Sequence, residues 1–471
     1  MQNVSWKDYE GVSGFGAGPQ YTQGDIENLN KALYVGNAQN NPGASPGEGF
    51  PLRIENLERT LKNVSFRMEH LRLYKAIPKV AAYNTVEEWN ELSSYGDLTD
   101  GFVAEGQLPE VNDSTYERKY AVVKFLGTTR VISHIATMIK PAHGSVVANE
   151  TVAGTMDLLR MLERALFKGD SSLSGLQFDG FEKLIADAPQ DNVIDMRAGS
   201  LDEDILVDAS LRISDAPHYG IPSHIHCNPK VKADLVRTFF PKERYDLFGK
   251  PSNGMVGLDM RGFTSPAGDC MIEPNVFIDD GGAPLAANGD ISKRPAAPAV
   301  TAALAIAAAD PLSKFAATDA GTYTYSVTAH NDFGRSAPVA VGAIAVVAED
   351  KVSFGLTAGT GNDPVTKWYQ IYRSNPDGSD VRLIKKVPNT TGAAELTFED
   401  LNEDLPFTTS AYMWQQNLEA LAWKQLAPMI KMPLSTDSPT IRFMMFIYGT
   451  PVLYAPGKAI LFKNIGRSPA L

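Results

Sequence analysis

One discontinuity constrains this chain more than any other feature. At Lys293–Pro298 (KRPAAP) the composition shifts abruptly, and residues 295–402 become rich in Ala, Thr, Val and Gly. Within them apolar and polar side chains alternate, as at Tyr323, Tyr325 and Val327 and again from Lys367 to Arg373, with the turn signals NDFG, GTGNDP and NPDGSD between the runs. Period-two runs punctuated in this way predict a sandwich of seven strands. After Asn402 the pattern is mixed again, so the sandwich is an insertion, and the host chain must leave and re-enter at neighbouring points. The module holds Trp368 but no cysteine, which excludes an antibody-type disulfide core.

The host reads as follows. Residues 1–50 are rich in Gly, Asn, Gln and Pro with no sustained period, the pattern of an extended arm that gains order against a partner. Gly14, Gly16 and Gly18 lack the flanking strand and helix that a phosphate-binding loop needs. From Pro51, Ile54, Leu57, Leu61, Val64, Met68 and Leu71 recur at helical spacing, predicting an amphipathic helix. Its polar face is basic, with seven Lys and Arg against three Glu between Arg53 and Lys79. The next stretch inverts the sign: Glu87 to Glu117 holds nine acidic residues, no Lys or Arg, and Gly96, Gly101, Gly106 and Pro109, which predicts a long loop or hairpin.

A strand is expected over Lys119–Ile132, a second amphipathic helix over Val146–Phe167 closed by Gly169, and a short helix from about Gly180. Val256–Met260 and Met271–Ile278 read as a hairpin, Lys230–Phe240 as a helix, and Trp414–Lys424 as another helix before the final strands. Both charge runs are consistent with solvated faces. The sharper expectation is that the acidic loop of one copy lies on the basic segment of a neighbour, with Arg67, Arg72 and Lys75 meeting acids such as Glu105 and Glu110.

At 471 residues the length predicts about three domains. The net charge of −12 gives no field that would hold a phosphate backbone, which argues against sequence-specific DNA binding. Cys227 and Cys270 are too few for a disulfide framework. Met1 to Tyr9 has no apolar signal region, and the aliphatic stretch Ala296–Ala309 is interrupted by Pro298 and too short to span a bilayer, so cytoplasmic synthesis without membrane insertion is expected.

Few residues offer chemistry. His218, His224, His226 and Cys227 lie within ten residues and are zinc-binding types, but their spacing matches no standard ligand pattern, and on a strand Cys227 points away from the two His. A buried strand ending at Pro229 accounts for them. Asp279 and Asp280 before two glycines read as a turn. GxSxG, P-loop and HExxH patterns are absent, leaving no catalytic candidate, no cofactor and no metal site to assign.

Taken in order, these segments resemble the major capsid proteins of tailed bacteriophages with the Hong Kong 97-like fold. The resemblance rests on the arm, the basic segment LRIENLERTLKNVSFRMEHLRLYK, the acidic loop, YAVVKFLGTTRVIS, the helix ending ERALFKGDSS, LQFDGFEKLI and FIYGTPVLYAPGKAILF, and covers all but the insertion. It implies an α+β fold: arm and basic helix at 1–77, extended loop at 78–132, peripheral domain with spine helix at 133–203, axial domain at 204–294, and a return through both at 403–471. The insertion, 295–402, is similar in SVTAHNDFGRSAPVAV and YQIYRSNPDG to immunoglobulin or fibronectin type III-like domains displayed on some phages.

The implied function is a non-enzymatic shell subunit forming hexamers and pentamers of an icosahedral capsid around double-stranded DNA. Because residues 1–50 lack a charged helical scaffold, a separate scaffolding protein is expected, together with a portal and decoration proteins. Its location would be the virion. Two rival readings are a phage tail or adhesion component that binds through the sandwich, and a metal enzyme centred on His224 and His226.

Overall fold

The computed structural model describes residues 65–96, 101–108, 111–139, 144–189, 192–239, 260–286, 294–360, 365–435 and 438–466. The arm, and the expected amphipathic helix as far as Val64, lie outside these residues. In chain order the host begins with helix α1 (Leu73–Ala76), strands β1 (Lys79–Ala81), β2 (Val86–Ser94), β3 (Thr115–Val122) and β4 (Lys124–Ser133), and helices α2 (His134–Met138), α3 (Val146–Lys168) and α4 (Phe181–Ala186). It continues with β5 (Val193–Asp195), α5 (Glu203–Ser214), β6 (His224–Cys227), α6 (Pro229–Phe239), β7 (Gly262–Ser265) and β8 (Gly268–Pro274). Seven strands follow: β9 (Ala299–Ala307), β10 (Gly321–His330), β11 (Val339–Val346), β12 (Lys351–Thr357), β13 (Trp368–Ser374), β14 (Val381–Pro388) and β15 (Leu396–Asp400). The chain closes with β16 (Thr409–Trp414), β17 (Leu421–Pro433), β18 (Thr440–Leu453) and β19 (Ala459–Ile465). The fold is mixed α and β, mostly strands.

Helix α3 organises the first core. Its apolar stripe places Leu158, Leu159, Leu162 and Leu166 against the sheet β1-β17-β18-β4, where they meet Trp423, Phe443, Met445 and Ile447. Burying each such leucine is worth about 1.5–3 kcal/mol. The helix stops at Gly169, but not through a left-handed cap, since its φ is −64°. A glycine is required there because a Cβ would stand 2.5 Å from the Phe178 carbonyl oxygen and 2.7 Å from that of Ala165, where the chain crosses Gly180.

The second core lies under the six-stranded sheet β5-β19-β16-β6-β8-β7. Strand β16 is its centre and is buried at all six positions. That burial corrects the expected helix over Trp414–Lys424. Trp414 ends one strand and Trp423 lies in another, with a turn between them in which Asn417 Oδ1 accepts the Ala420 N–H (3.0 Å). Trp414, Leu418 and Leu421 recur at helical spacing, but pairing of β16 with β6 and β19 and of β17 with β18 takes the two ends of the segment into different sheets.

Three further expectations change. The amphipathic helix expected through Leu71 is not continuous over its described part: a single 3-10 turn at Met68–His70 is followed by the one-turn α1, and the chain then extends. Ile77 precedes Pro78, which disfavours helical geometry at Ile77 (ψ 134°). The strand expected over Lys119–Ile132 is two, parted at the buried Val123, whose N–H donates to the Thr85 carbonyl (2.8 Å). Segment 78–132 therefore divides, with β2 and β3 forming a separate antiparallel ribbon and β1 and β4 joining the four-stranded sheet. Of the hairpin expected from Val256–Met260 and Met271–Ile278, residues 256–259 lie outside the described residues, and the hairpin described is β7–β8, turning at Pro266–Ala267.

Strands β9–β15 make two sheets, β11-β10-β13-β14 and β15-β12-β9, around a core that includes Tyr325, Val327, Phe354, Tyr369 and Ile371. The host chain leaves and returns side by side: the Gly281 N–H donates to the Thr408 carbonyl (3.1 Å) and the Phe407 N–H to that of Gly281 (3.2 Å).

Candidate assembly interface

The ribbon β2–β3 pairs from Val86↔Val122 to Ser94↔Thr115, and its strands hold no place in any other sheet. Its base is anchored. Trp89 meets Tyr454 edge-on (centroids 5.4 Å apart), and Lys424 lies 5.1 Å from the Trp89 ring and 3.6 Å from the Glu87 carboxylate. Glu87 Oε1 accepts the N–H groups of Tyr83 (2.7 Å) and Asn84 (2.9 Å), which hold its carboxyl below the usual range, with Lys424 adding to the effect. Higher up, Glu91 pairs with Lys119 (2.7 Å) and Glu88 with Arg118 (3.6 Å). Exposed pairs of this kind contribute little stability.

Beyond the paired strands the chain exposes large apolar side chains almost completely: Tyr95 89%, Phe102 94%, Leu108 93% and Val111 94%. Tyr116 and Tyr120 add exposed rings along β3. An isolated two-stranded ribbon is marginally stable in water, and a concentration of exposed apolar groups marks a surface that a partner covers.

Of the residues singled out from the sequence, Arg67 and Arg72 precede α1 and Lys75 lies within it, all three exposed, and Glu105 is exposed in the loop between β2 and β3. Glu110 lies outside the described residues. Among the described residues the side chains of Arg67, Arg72, Lys75 and Glu105 enter no ion pair, so within one chain the bases and the acid are not brought together.

Glu163, one turn after Leu159 on the buried face of α3, is not among the residues singled out from the sequence, and its role shows only in three dimensions. The carboxylate is fully buried and accepts the N–H groups of Arg72 (3.1 Å), Leu73 (2.7 Å) and Tyr74 (2.9 Å) and the Asn275 amide (2.7 Å). It thereby caps α1, whose own first residue supplies no side-chain cap, and ties the segment leading to the ribbon onto α3. Burial pushes the carboxyl up, and the four donors offset part of that.

The histidine cluster is structural in its surroundings. His226 is buried on β6, its Nε2 3.0 Å from Gln416 Oε1, and burial lowers it to about 4. His224 stacks beside it with centroids 6.3 Å apart and bonds Ser223 Oγ at 2.9 Å, while the buried Cys227 thiol is pushed up to about 12. Among the described residues no three His, Cys, Asp or Glu side chains group as metal ligands. Asp279 pairs with Arg164 (3.2 Å), and Asp280 with Lys230. No described helix is long and apolar enough to cross a membrane.

No family model matches the chain. It is 26% identical over 432 residues to the major capsid protein of Staphylococcus phage S25-3, an alignment covering 88% of this chain and 90% of that one. The same identity and coverage hold for the major capsid protein of Staphylococcus phage K. Among solved structures, the capsid of a native GTA particle matches at TM-score 0.47 and 10% identity, covering 89% of this chain and 97% of the other. Along most of its length, then, this chain is similar to the major capsid proteins of Staphylococcus phages.

Proposed function

We propose that this chain is a major capsid protein, the structural subunit of an icosahedral phage head, with a Hong Kong 97-like host fold. The observation that carries the reading is the ribbon with its unsheltered apolar end, in a chain similar over 432 residues to named major capsid proteins. A projecting ribbon whose Phe102 and Leu108 lie in water is unfavourable in a monomer and favourable once a neighbour covers it. If every copy gives its ribbon to the next and receives one, the contact is heterologous, and rotation closes it into hexamers and pentamers.

Charge supports the same reading. The acidic ribbon end, with Glu105 and Glu110, would meet Arg67, Arg72 and Lys75 of the adjacent copy, setting register and speeding encounter. The net charge of −12 suits a lining that encloses double-stranded DNA without binding it tightly or by sequence. The subunit acts with a separate scaffolding protein, a portal and decoration proteins, and its place is the virion. The β9–β15 module, immunoglobulin or fibronectin III-like in type, faces outward.

Electron microscopy of the chain expressed alone and with its scaffolding protein tests this. Closed shells or flat hexameric sheets are expected, with outer bumps over residues 295–402. Discrete trimers or rings at every protein concentration would overturn the capsid reading in favour of a tail or adhesion component.

A further inference from the structure

The inserted module is joined to the host by more than its two chain connections. The returning chain passes through Asn402, fully buried and in the left-handed region (φ 58°), with every polar group engaged. Its N–H donates to Asp400 Oδ1 (2.9 Å) and its amide to Asp319 Oδ2 (3.0 Å), both in the module. Its Oδ1 accepts from Arg373 Nη2 (2.7 Å), in β13 of the module, and its carbonyl accepts from Arg197 Nη1 (2.7 Å), just after β5 of the host.

Two arginines from opposite sides thus grip one residue. Arg373 is itself locked, paired with Asp400 (2.6 Å) and lying 5.4 and 5.2 Å from the rings of Phe315 and Tyr323. Arg197 also donates to the Lys314 carbonyl and reaches Asp319 (3.3 Å), while Lys314 Nζ lies 3.5 Å from Asp195 in β5.

Other attachments stand apart from this hub. Ser174 of the host donates to Asp332 (2.7 Å), and the Leu383 N–H on β14 donates to the Ala283 carbonyl (3.0 Å). Asp319 and Asp332 bracket the ten-residue β10, so they lie roughly 30 Å apart along that strand. A body held at both ends of a strand and along one edge has no free axis to swing about.

We propose that Arg197 is a positioning residue which, with Arg373, fixes the module in a single orientation through Asn402, making it a rigid extension of the subunit. This holds whatever the subunit assembles into.

The test uses the full chain with spin labels on cysteines introduced at Val347 of the module and Leu418 of the host, both exposed; the native Cys227 and Cys270 are buried. A narrow distance distribution is expected for the otherwise native chain, a broad one for Arg197→Ala, and an intermediate one for Arg197→Lys. Should Arg197→Ala not fold, Asn402→Gly decides from the other side: glycine keeps the left-handed backbone, the carbonyl that Arg197 holds and the Arg373–Asp400 pair, and removes only the amide that Arg373 and Asp319 hold. A broad distribution in the native chain, or widths unchanged in Arg197→Ala or Asn402→Gly, would overturn the proposal.

Discussion

Two buried side chains carry consequences that reach beyond their own volumes. Glu163 satisfies three backbone N–H groups at the start of α1, and no backbone carbonyl could replace it there. Glu163→Gln turns one acceptor into a donor facing an N–H, so a loss of about 1–3 kcal/mol is expected from the stranded group. Hydrogen exchange should locate the effect at the amides of residues 72–74. His226 gives a pH dependence. Its folded value of about 4 lies below the ordinary 6.5, so between these limits the unfolded chain takes up a proton that the folded chain refuses. Stability is therefore lost as pH falls from about 6.5 towards 4, by at most about 3 kcal/mol. Urea unfolding at pH 7 and pH 5 should show a smaller difference for His226→Gln than for the native chain.

At the scale of elements, the ribbon is separable from the fold that carries it. Its end contributes nothing to the three cores, so Phe102→Asp with Leu108→Asp should leave the thermal transition nearly unchanged. The same pair should abolish assembly, read as loss of fast-sedimenting particles. Normal particles from this variant would show that the exposed apolar end is not the contact. Helix α3 behaves oppositely, since its buried leucines serve both the four-stranded sheet and the anchored segment before the ribbon.

For the whole molecule, the decisive variable is charge between copies. Arg67→Glu with Arg72→Glu should weaken assembly most at low ionic strength and less in high salt, where screening shortens the reach of repulsion to about 3 Å at 1 M. Assembly equal to the native chain in both conditions would remove these residues from the interface. The outward placement of the module predicts that a protease cuts the 293–298 linker in intact particles without dispersing them; complete protection would place the linker inside.

How much was legible beforehand follows from the range of the forces involved. Strong amphipathic period located α3, alternation located strands in the 299–400 region, and a stretch with nine acids and no Lys or Arg marked most of the ribbon segment, because each of these is written in neighbouring residues. The sequence by itself determined these elements and the exclusions of charge and composition. Tertiary structure alone decided that Trp414 and Leu421–Lys424 belong to strands of two different sheets with a turn between them. It alone broke the helix expected through Leu71, made Glu163 a cap and joined Arg197 to Asn402. Those contacts span 89 to 205 positions along the chain, and no local pattern encodes a hydrogen bond whose partners meet only after the chain has folded.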